Sequence, residues 1–144
     1  MLKPHIDRRK TLEELEGSNW GDPDGGTSLV QKCHQLRRVP LQELTPSDLR
    51  FLITQQIGLL WLVPLALEIL NADPLIDAGY YTGDLLCAVV DVPEAYWTRQ
   101  VDMAEGLHRI VDQVRELLRS MDESSARIVR ETLTAPEEGS RSRK

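Results

Sequence analysis

With 144 residues, of which 41% are hydrophobic and 28% charged, the chain is long enough for one domain with a core and too apolar for wholesale disorder. Its net charge of −6 combines basic ends with an acidic body. Residues 1–10 and 141–144 hold seven Lys and Arg against one Asp, which leaves 10 Lys and Arg against 22 Asp and Glu in residues 11–138, a net charge of −12. This charge argues against nucleic acid and anionic lipid as partners and favours a basic protein, although acidity also serves solubility alone.

Helical spacing recurs along the chain, whereas alternating strand spacing never extends beyond a few residues, so the sequence predicts an all-α fold. The first helix starts at Thr11, where Glu14 completes the spacing of a capping box, and it ends at Gly17. Residues 17–26, GSNWGDPDGG, form a predicted loop. Its Trp20 either plugs the edge of the core or marks a contact surface.

Three further helices are predicted in the first half of the chain. The segment from Thr27 to Arg38 has one apolar stripe and ends in two arginines that complement the helix dipole. Thr45 caps the next helix, which has a proline in its first turn and runs to Gly58. The third helix, Leu60–Ala72, is apolar on nearly all sides, so we expect it to be the central helix of the fold.

The second half of the chain begins with loop chemistry in residues 71–83. Thr82 is predicted to cap a short helix from Gly83 to Val90, and Pro93 opens another turn. The clearest amphipathic stripe follows, with apolar residues recurring every three or four positions from Leu107 to Met121. A shorter helix, Ser124–Leu133, is expected after it.

These elements predict an irregular bundle of about six to seven short helices around the central apolar helix Leu60–Ala72. A single domain is expected at residues 11–134. Residues 1–10 are predicted to be a mobile basic N-terminus, and residues 135–144 a disordered charged tail, because both segments are polar and lack helical periodicity.

The two cysteines indicate a reducing compartment. The first ten residues lack the apolar segment of a secretory signal, so we expect Cys33 and Cys87 to remain thiols in the cytoplasm. The longest nearly apolar run, residues 59–70, is too short to span a bilayer and contains Pro64 and Glu68. No membrane partner is therefore predicted.

Common signatures of catalysis and ligand binding fail in this sequence. It has no G-x-S-x-G motif, no phosphate-binding glycine loop with its lysine and no H-E-x-x-H helix. Asp22 and Asp24 begin like a calcium loop, but Thr27 and Cys33 stand where that loop requires glycine and glutamate. Cys33 and His34 are adjacent, so on a helix they point about 100° apart and are poorly placed to act together. No enzyme activity, cofactor or metal is predicted, unless distant residues assemble a dispersed site.

Recognition of a partner is the function that remains. The segment from Asp73 to Asp84 carries three aspartates and two neighbouring tyrosines, and aromatic anchors within an acidic rim are typical of protein interfaces. In the alternative interpretation a tyrosine packs on the core and the aspartates cap helices. The predicted partner-binding residues are Trp20, Asp22, Asp24, Asp73, Asp77, Tyr80, Tyr81 and Asp84.

A longer pattern carries a family resemblance. The chain contains, in unbroken order, TLEELEGSNWGDP, CHQLRR, PLQELTPSDLRFLITQQIGLLWLVPLALEIL, ADPL, GYYTGDLL and a Pro-Glu-x-Tyr-Trp turn. Together these segments, which span about residues 11–97, resemble the soluble helical immunity proteins of bacterial contact-dependent growth inhibition systems. The long C-terminal helix resembles the family in character alone.

The resemblance implies a small helical protein that binds the C-terminal domain of a cognate toxin in the cytoplasm and neutralises it. Toxins of these systems are often nucleases, and a nuclease needs a cationic phosphate-binding surface that an acidic protein can cover or flank. The alternative is a helical adaptor or regulatory subunit that binds a basic host protein unrelated to toxins. Gene neighbourhood distinguishes the two, because an immunity gene is expected beside a large toxin gene.

Overall fold

The structure, a computed structural model, describes residues 6–18, Gly21 and residues 26–142, without the side chains of residues 125 and 134–142. The described chain is all-α, as predicted, and its one strand-like feature is an isolated bridge between Asp77 and Thr82. It contains a short 3-10 helix, Leu41–Glu43, and the α-helices α1 Leu12–Glu16, α2 Ser28–Leu36, α3 Pro46–Thr54, α4 Leu59–Ala72, α5 Asp84–Val90, α6 Glu94–Arg99, α7 Val101–Leu118 and α8 Glu123–Ser142.

The predicted helix starts at Thr11 and Thr45 both have capping boxes, of which the sequence predicted the one at Thr11. At α1 the Thr11 hydroxyl accepts a hydrogen bond from the Glu14 amide at 3.1 Å, and the Glu14 carboxylate accepts one from the Thr11 amide at 2.9 Å. Thr45 and Asp48 make the same reciprocal pair at α3, where a proline occupies the first turn. Each box satisfies two backbone N–H groups that the helix itself leaves without partners, so both starts are fixed locally.

The central position of α4 is confirmed. It packs against α3, α5 and α7, and its side chains Leu62, Val63, Ala66 and Leu70 are fully buried. Full burial of a leucine or valine stabilises the fold by about 1.5–3 kcal/mol, so this helix organises the core. Pro64 lies in the second turn of the helix, where its missing N–H leaves the Leu60 carbonyl without an intrahelical donor.

The connection between α3 and α4 differs from the predicted helix to Gly58. Helix α3 ends at Thr54, after which Gln56 and Gly58 both adopt left-handed backbone conformations, with φ angles of 60° and 64°. A Cβ atom at Gly58 would lie 2.7 Å from a methyl group of the fully buried Leu12. The chain therefore turns here because α1 packs against the glycine, a contact that periodicity does not reveal.

Three helices in the second half also differ from their predicted bounds. Gly83, with φ of 83°, replaces Thr82 as the residue that begins α5, and no side chain caps that helix. The predicted turn at Pro93 continues into α6, whose Trp97 donates its indole N–H to the Val92 carbonyl at 3.0 Å. Helix α7 begins at Val101, ahead of the predicted stripe, and buries Met103 on the same face.

Residues 6–10, the described part of the predicted mobile N-terminus, contact the domain. The amides of Leu41 and Gln42 donate to the Lys10 and Arg8 carbonyls at 3.0 and 2.9 Å. Arg8 also forms an ion pair with Glu68 of α4, and Ile6 packs against the core. The sequence did not predict these backbone contacts, because residues 7–10 are all charged and such polarity is typical of a mobile end.

The C-terminal helix continues beyond the predicted domain end at residue 134. The backbone of α8 is helical to Ser142, so it includes most of the segment predicted to be a disordered tail. Helix α8 packs on α5 and α7 through the buried Ala126, Val129 and Leu133.

Candidate functional site

The segment of residues 73–84, which is the loop between α4 and α5 with the first residue of α5, contains the five described residues that the sequence nominates for partner binding. We call it the 73–84 loop. Asp73 ends α4, where its amide donates to the Ile69 carbonyl at 2.9 Å, and its side chain is exposed. Pro74 and Ala78 are buried, so the loop is attached to the core at two points along its length.

Asp84 is the internal scaffold of this loop. Its side chain is 0% exposed, and one carboxylate oxygen accepts a hydrogen bond from the Ala78 amide at 2.7 Å. The other oxygen accepts from the amides of Tyr80 and Tyr81 at 3.0 and 3.4 Å. Three backbone donors thus converge on one buried carboxylate. This burial argues against the predicted contact of Asp84 with a partner, because the side chain holds the loop from inside.

Arg50 of α3 brings a positive charge to the same carboxylate. Its Nε atom lies 3.9 Å from the second Asp84 oxygen, and its guanidinium carbon lies 4.3 Å from the centre of the Tyr80 ring. The Arg50 side chain is 23% exposed, so much of this contact is shielded from water. A guanidinium over an aromatic face is a favourable cation–π arrangement. Sequence reasoning did not nominate Arg50, since nothing local connects it to the loop.

The two tyrosines have different environments. Tyr80 is 66% exposed, with its ring on the Arg50 guanidinium. Tyr81 is half-buried, and burial raises the pKa of its phenol, with Cys87 adding to the increase and Arg50 opposing it. Tyr81 therefore fits the alternative in which a tyrosine packs on the core, whereas Tyr80 stays a predicted contact residue on the surface.

Asp77 shapes the outer turn of the loop. One of its carboxylate oxygens accepts a hydrogen bond from the Gly79 amide at 2.7 Å, while the side chain stays exposed. A Cβ atom at Gly79 would lie 3.7 Å from the Ser47 hydroxyl, so this turn lies against the first turn of α3. The exposed part of the loop thus combines Asp73, Asp77 and Tyr80.

The other nominated residues, Trp20, Asp22 and Asp24, lie outside the described residues. The described ends of their loop are held by the end of α2. Arg37, whose side chain is 1% exposed, donates to the Glu16 carboxylate at 2.6 Å and to the Ser18 carbonyl at 2.9 Å. Arg38 donates to the Gly21 carbonyl at 2.9 Å. The two arginines were assigned to the helix dipole from the sequence, and their role in holding the loop was missed.

A cavity of about 380 Å³ lies between α4, α7 and the N-terminal segment. Its floor includes Leu67 and Met103, and its rim carries charges of both signs, namely Arg8, Glu68, Asp102 and Arg109. Among the described residues, no group of three His, Cys, Asp or Glu side chains could hold a metal ion. The charged rim has no preferred sign, so the 73–84 loop is the better candidate site for a charged partner.

A comparison with known protein families identifies the family of this chain. A family model of CDI immunity proteins matches residues 14–107. The chain belongs to this family. The match confirms the resemblance to contact-dependent growth inhibition immunity proteins and includes the whole 73–84 loop, but it ends within α7, so α8 lies beyond it. No curated protein and no solved structure matches the chain.

The role of this family is toxin neutralisation, and its members are generally not enzymes. Among the described residues, none of the helices is both long and apolar enough to cross a membrane.

Proposed function

We propose that this immunity protein neutralises its cognate toxin in the cytoplasm by binding the toxin's C-terminal domain, a basic nuclease, through the exposed part of the 73–84 loop. The observation that carries the proposal is Tyr80, which is 66% exposed on a loop whose outward side chains are acidic and whose inside is fixed by hydrogen bonds. Large exposed aromatic side chains in fixed positions are frequent centres of protein interfaces.

The charges support a basic partner. Asp73 and Asp77 lie on the same exposed loop as Tyr80, within a body whose net charge is −12 over residues 11–138, where 10 Lys and Arg stand against 22 Asp and Glu. A nuclease presents cationic side chains to the phosphates of its substrate. An acidic surface attracts such a domain and accelerates its association, and it also competes with nucleic acid for the same cationic side chains.

We include Trp20, Asp22 and Asp24 in the proposed contact surface on the evidence of the sequence alone. They combine an aromatic side chain with two carboxylates in a predicted loop, which is the same chemistry as that of the 73–84 loop. The buried Asp84 is excluded from the proposed surface, and the half-buried Tyr81 is included.

The test is co-expression with the toxin C-terminal domain encoded beside this chain. The immunity protein should permit growth, form a complex with the domain on a sizing column and abolish its nuclease activity in vitro at equimolar concentration. Growth arrest together with the absence of a complex would contradict the proposed function. A complex with a toxin domain that degrades no nucleic acid would leave neutralisation standing and refute the nuclease assignment.

The contact surface is tested separately with Tyr80→Ala. This change removes an exposed ring and leaves the buried hydrogen bonds to Asp84 in place, because they come from the backbone. We expect toxin affinity to fall about tenfold or more, as for the truncation of an aromatic anchor. The matched control is Leu117→Ala on α7, which removes another exposed apolar side chain, 40% exposed, from a different element. Equal affinities for Tyr80→Ala and the control would remove the loop from the interface.

A further inference from the structure

Arg50 links the buried scaffold of the 73–84 loop to its exposed ring. We infer that Arg50 is a positioning residue, which fixes Tyr80 in its toxin-binding orientation before the toxin arrives. The inference rests on the proposed function, since it concerns the same surface. Arg50 lies on α3, outside the loop, and it supports the contact that Tyr80 makes with the toxin.

Arg50 interacts with three residues of the loop, namely Asp84, the ring of Tyr80 and the phenol of Tyr81. Its guanidinium is 4.3 Å from the Tyr80 ring centre on one side, and its Nε atom is 3.9 Å from the Asp84 carboxylate. The Nε atom is buried and makes no hydrogen bond, so the ion pair, the ring contact and the interaction with the Tyr81 phenol hold the guanidinium. Because the same carboxylate oxygen accepts the Tyr80 amide at 3.0 Å, Arg50 contacts both the ring and the group that holds its backbone.

The C-terminal end of the 73–84 loop is held by α8. Gly83 has a φ angle of 83°, and a Cβ atom there would lie 2.5 Å from a methyl group of the buried Val129. This contact restrains the backbone at the start of α5. It leaves the orientation of the exposed Tyr80 ring to Arg50, which is the side chain that contacts the face of that ring.

An exposed aromatic side chain that is already held in its bound orientation raises affinity, because it loses less conformational entropy when the partner binds. Immobilising one rotamer-rich side chain at an interface weakens binding by roughly threefold to tenfold, and a side chain that is already held avoids this loss. Lysine at position 50 would keep the charge opposite Asp84. It would lose the planar group that stacks on the ring, since arginine and lysine differ in this respect. Arg50→Lys therefore removes the positioning contact and retains the ion pair.

The experiment is a double-mutant cycle of Arg50→Lys and Tyr80→Ala, measured as toxin-domain affinity with the full-length immunity protein. We expect Arg50→Lys to weaken binding about threefold to tenfold when Tyr80 is present, and to have no effect when Tyr80 is alanine. The matched control is Arg127→Lys, an exposed arginine on α8, which should leave the affinity unchanged in both backgrounds.

Two results of the cycle overturn the inference without affecting the proposed function. One is an unchanged affinity for Arg50→Lys while Tyr80→Ala weakens binding. The other is an equal loss for Arg50→Lys in both backgrounds, which is what a purely structural role predicts. If Tyr80→Ala itself has no effect, both the proposed surface and the positioning role fail.

A measurement without the toxin uses the immunity protein alone. The resonances of the Tyr80 ring should shift in Arg50→Lys, because the stacked guanidinium is gone, while hydrogen exchange of the Ala78 and Tyr80 amides stays slow, since Asp84 still accepts from both. Unshifted ring resonances would overturn the inference even if the toxin-domain complex could not be formed. Fast exchange of these amides would assign Arg50 to the scaffold of the loop, which also overturns it.

Discussion

Arg37, the residue that follows α2, donates a hydrogen bond of 2.6 Å to the carboxylate of Glu16 in α1, from a side chain that is only 1% exposed. The same guanidinium also donates to the Ser18 carbonyl at 2.9 Å. A buried arginine whose charge is matched by a carboxylate joins the first two helices and the start of the loop between them. The pair is thus a structural centre of the N-terminal half.

We expect Arg37→Met to destabilise the protein by about 2 kcal/mol, because it removes these hydrogen bonds and leaves the Glu16 carboxylate and the Ser18 carbonyl without their donor. Chemical denaturation with an unchanged slope would measure this loss as a lower midpoint. Arg119→Met, just after α7, is the control, since the ion pair of Arg119 with Glu116 is exposed and should contribute less than about 1 kcal/mol. Equal midpoints for the two variants would contradict the structural role of Arg37.

Gly83→Ala should destabilise the fold by about 2 kcal/mol or more. The residue has φ of 83°, which an alanine adopts only under strain, and the added Cβ would lie 2.5 Å from Val129. Thermal unfolding would show a lower midpoint. The double variant Gly83→Ala with Val129→Ala should lose less stability than the two single losses combined, because the close contact disappears. Additive losses would show that the contact with Val129 does not limit this position.

Gly106→Ala should have the opposite sign. This glycine lies inside α7, and its added Cβ would meet the nearest atoms, in Leu67 and Arg109, at 3.9 Å, an ordinary contact distance. Replacing an interior helix glycine with alanine stabilises by about 0.5–1 kcal/mol. The same unfolding measurement would detect a higher midpoint, and a lower one would indicate that the packing of α4 on α7 requires the glycine.

Tyr96→Phe should raise stability by about 1 kcal/mol at neutral pH. The Tyr96 hydroxyl is buried and has no hydrogen-bond partner, so its removal eliminates a desolvation cost. Burial also raises the pKa of this phenol above its ordinary value of 10.0. The unfolded chain therefore ionises first as pH increases, and the native protein loses stability above about pH 10. The phenylalanine variant lacks this phenol, so its free energy of unfolding should fall less between about pH 9 and pH 11. Identical pH profiles of stability for the two proteins would contradict the raised pKa of Tyr96.

Asp73→Asn with Asp77→Asn should slow association with the toxin domain roughly twofold to fivefold at low salt. The asparagine oxygen at position 77 can still accept the Gly79 amide, so the loop turn is retained while both charges are lost. Stopped-flow measurements at two ionic strengths would show the difference shrink as salt screens it. Asp112→Asn on the exposed face of α7 is the control. Unchanged association rates at low salt would remove these two aspartates from the interface.

The sequence by itself determined the features that depend on neighbours within about four residues. The starts of α1 and α3 follow from Thr11 and Thr45, each with its acidic partner three residues on, and the central place of α4 follows from its apolar composition. The family is likewise visible in the ordered segments from residue 11 to 97. These features need no knowledge of which distant parts of the chain meet.

Only the tertiary structure decided which nominated residues of the 73–84 loop are surface and which are scaffold. Asp84 and Asp77 carry the same side chain, yet one is buried under three amides and Arg50, and the other is exposed. Residues 6–10 joined the fold through contacts such as the ion pair of Arg8 with Glu68, 60 residues away. Burial and charge pairing of this kind depend on the packing of helices against one another, and a local pattern carries no information about that packing.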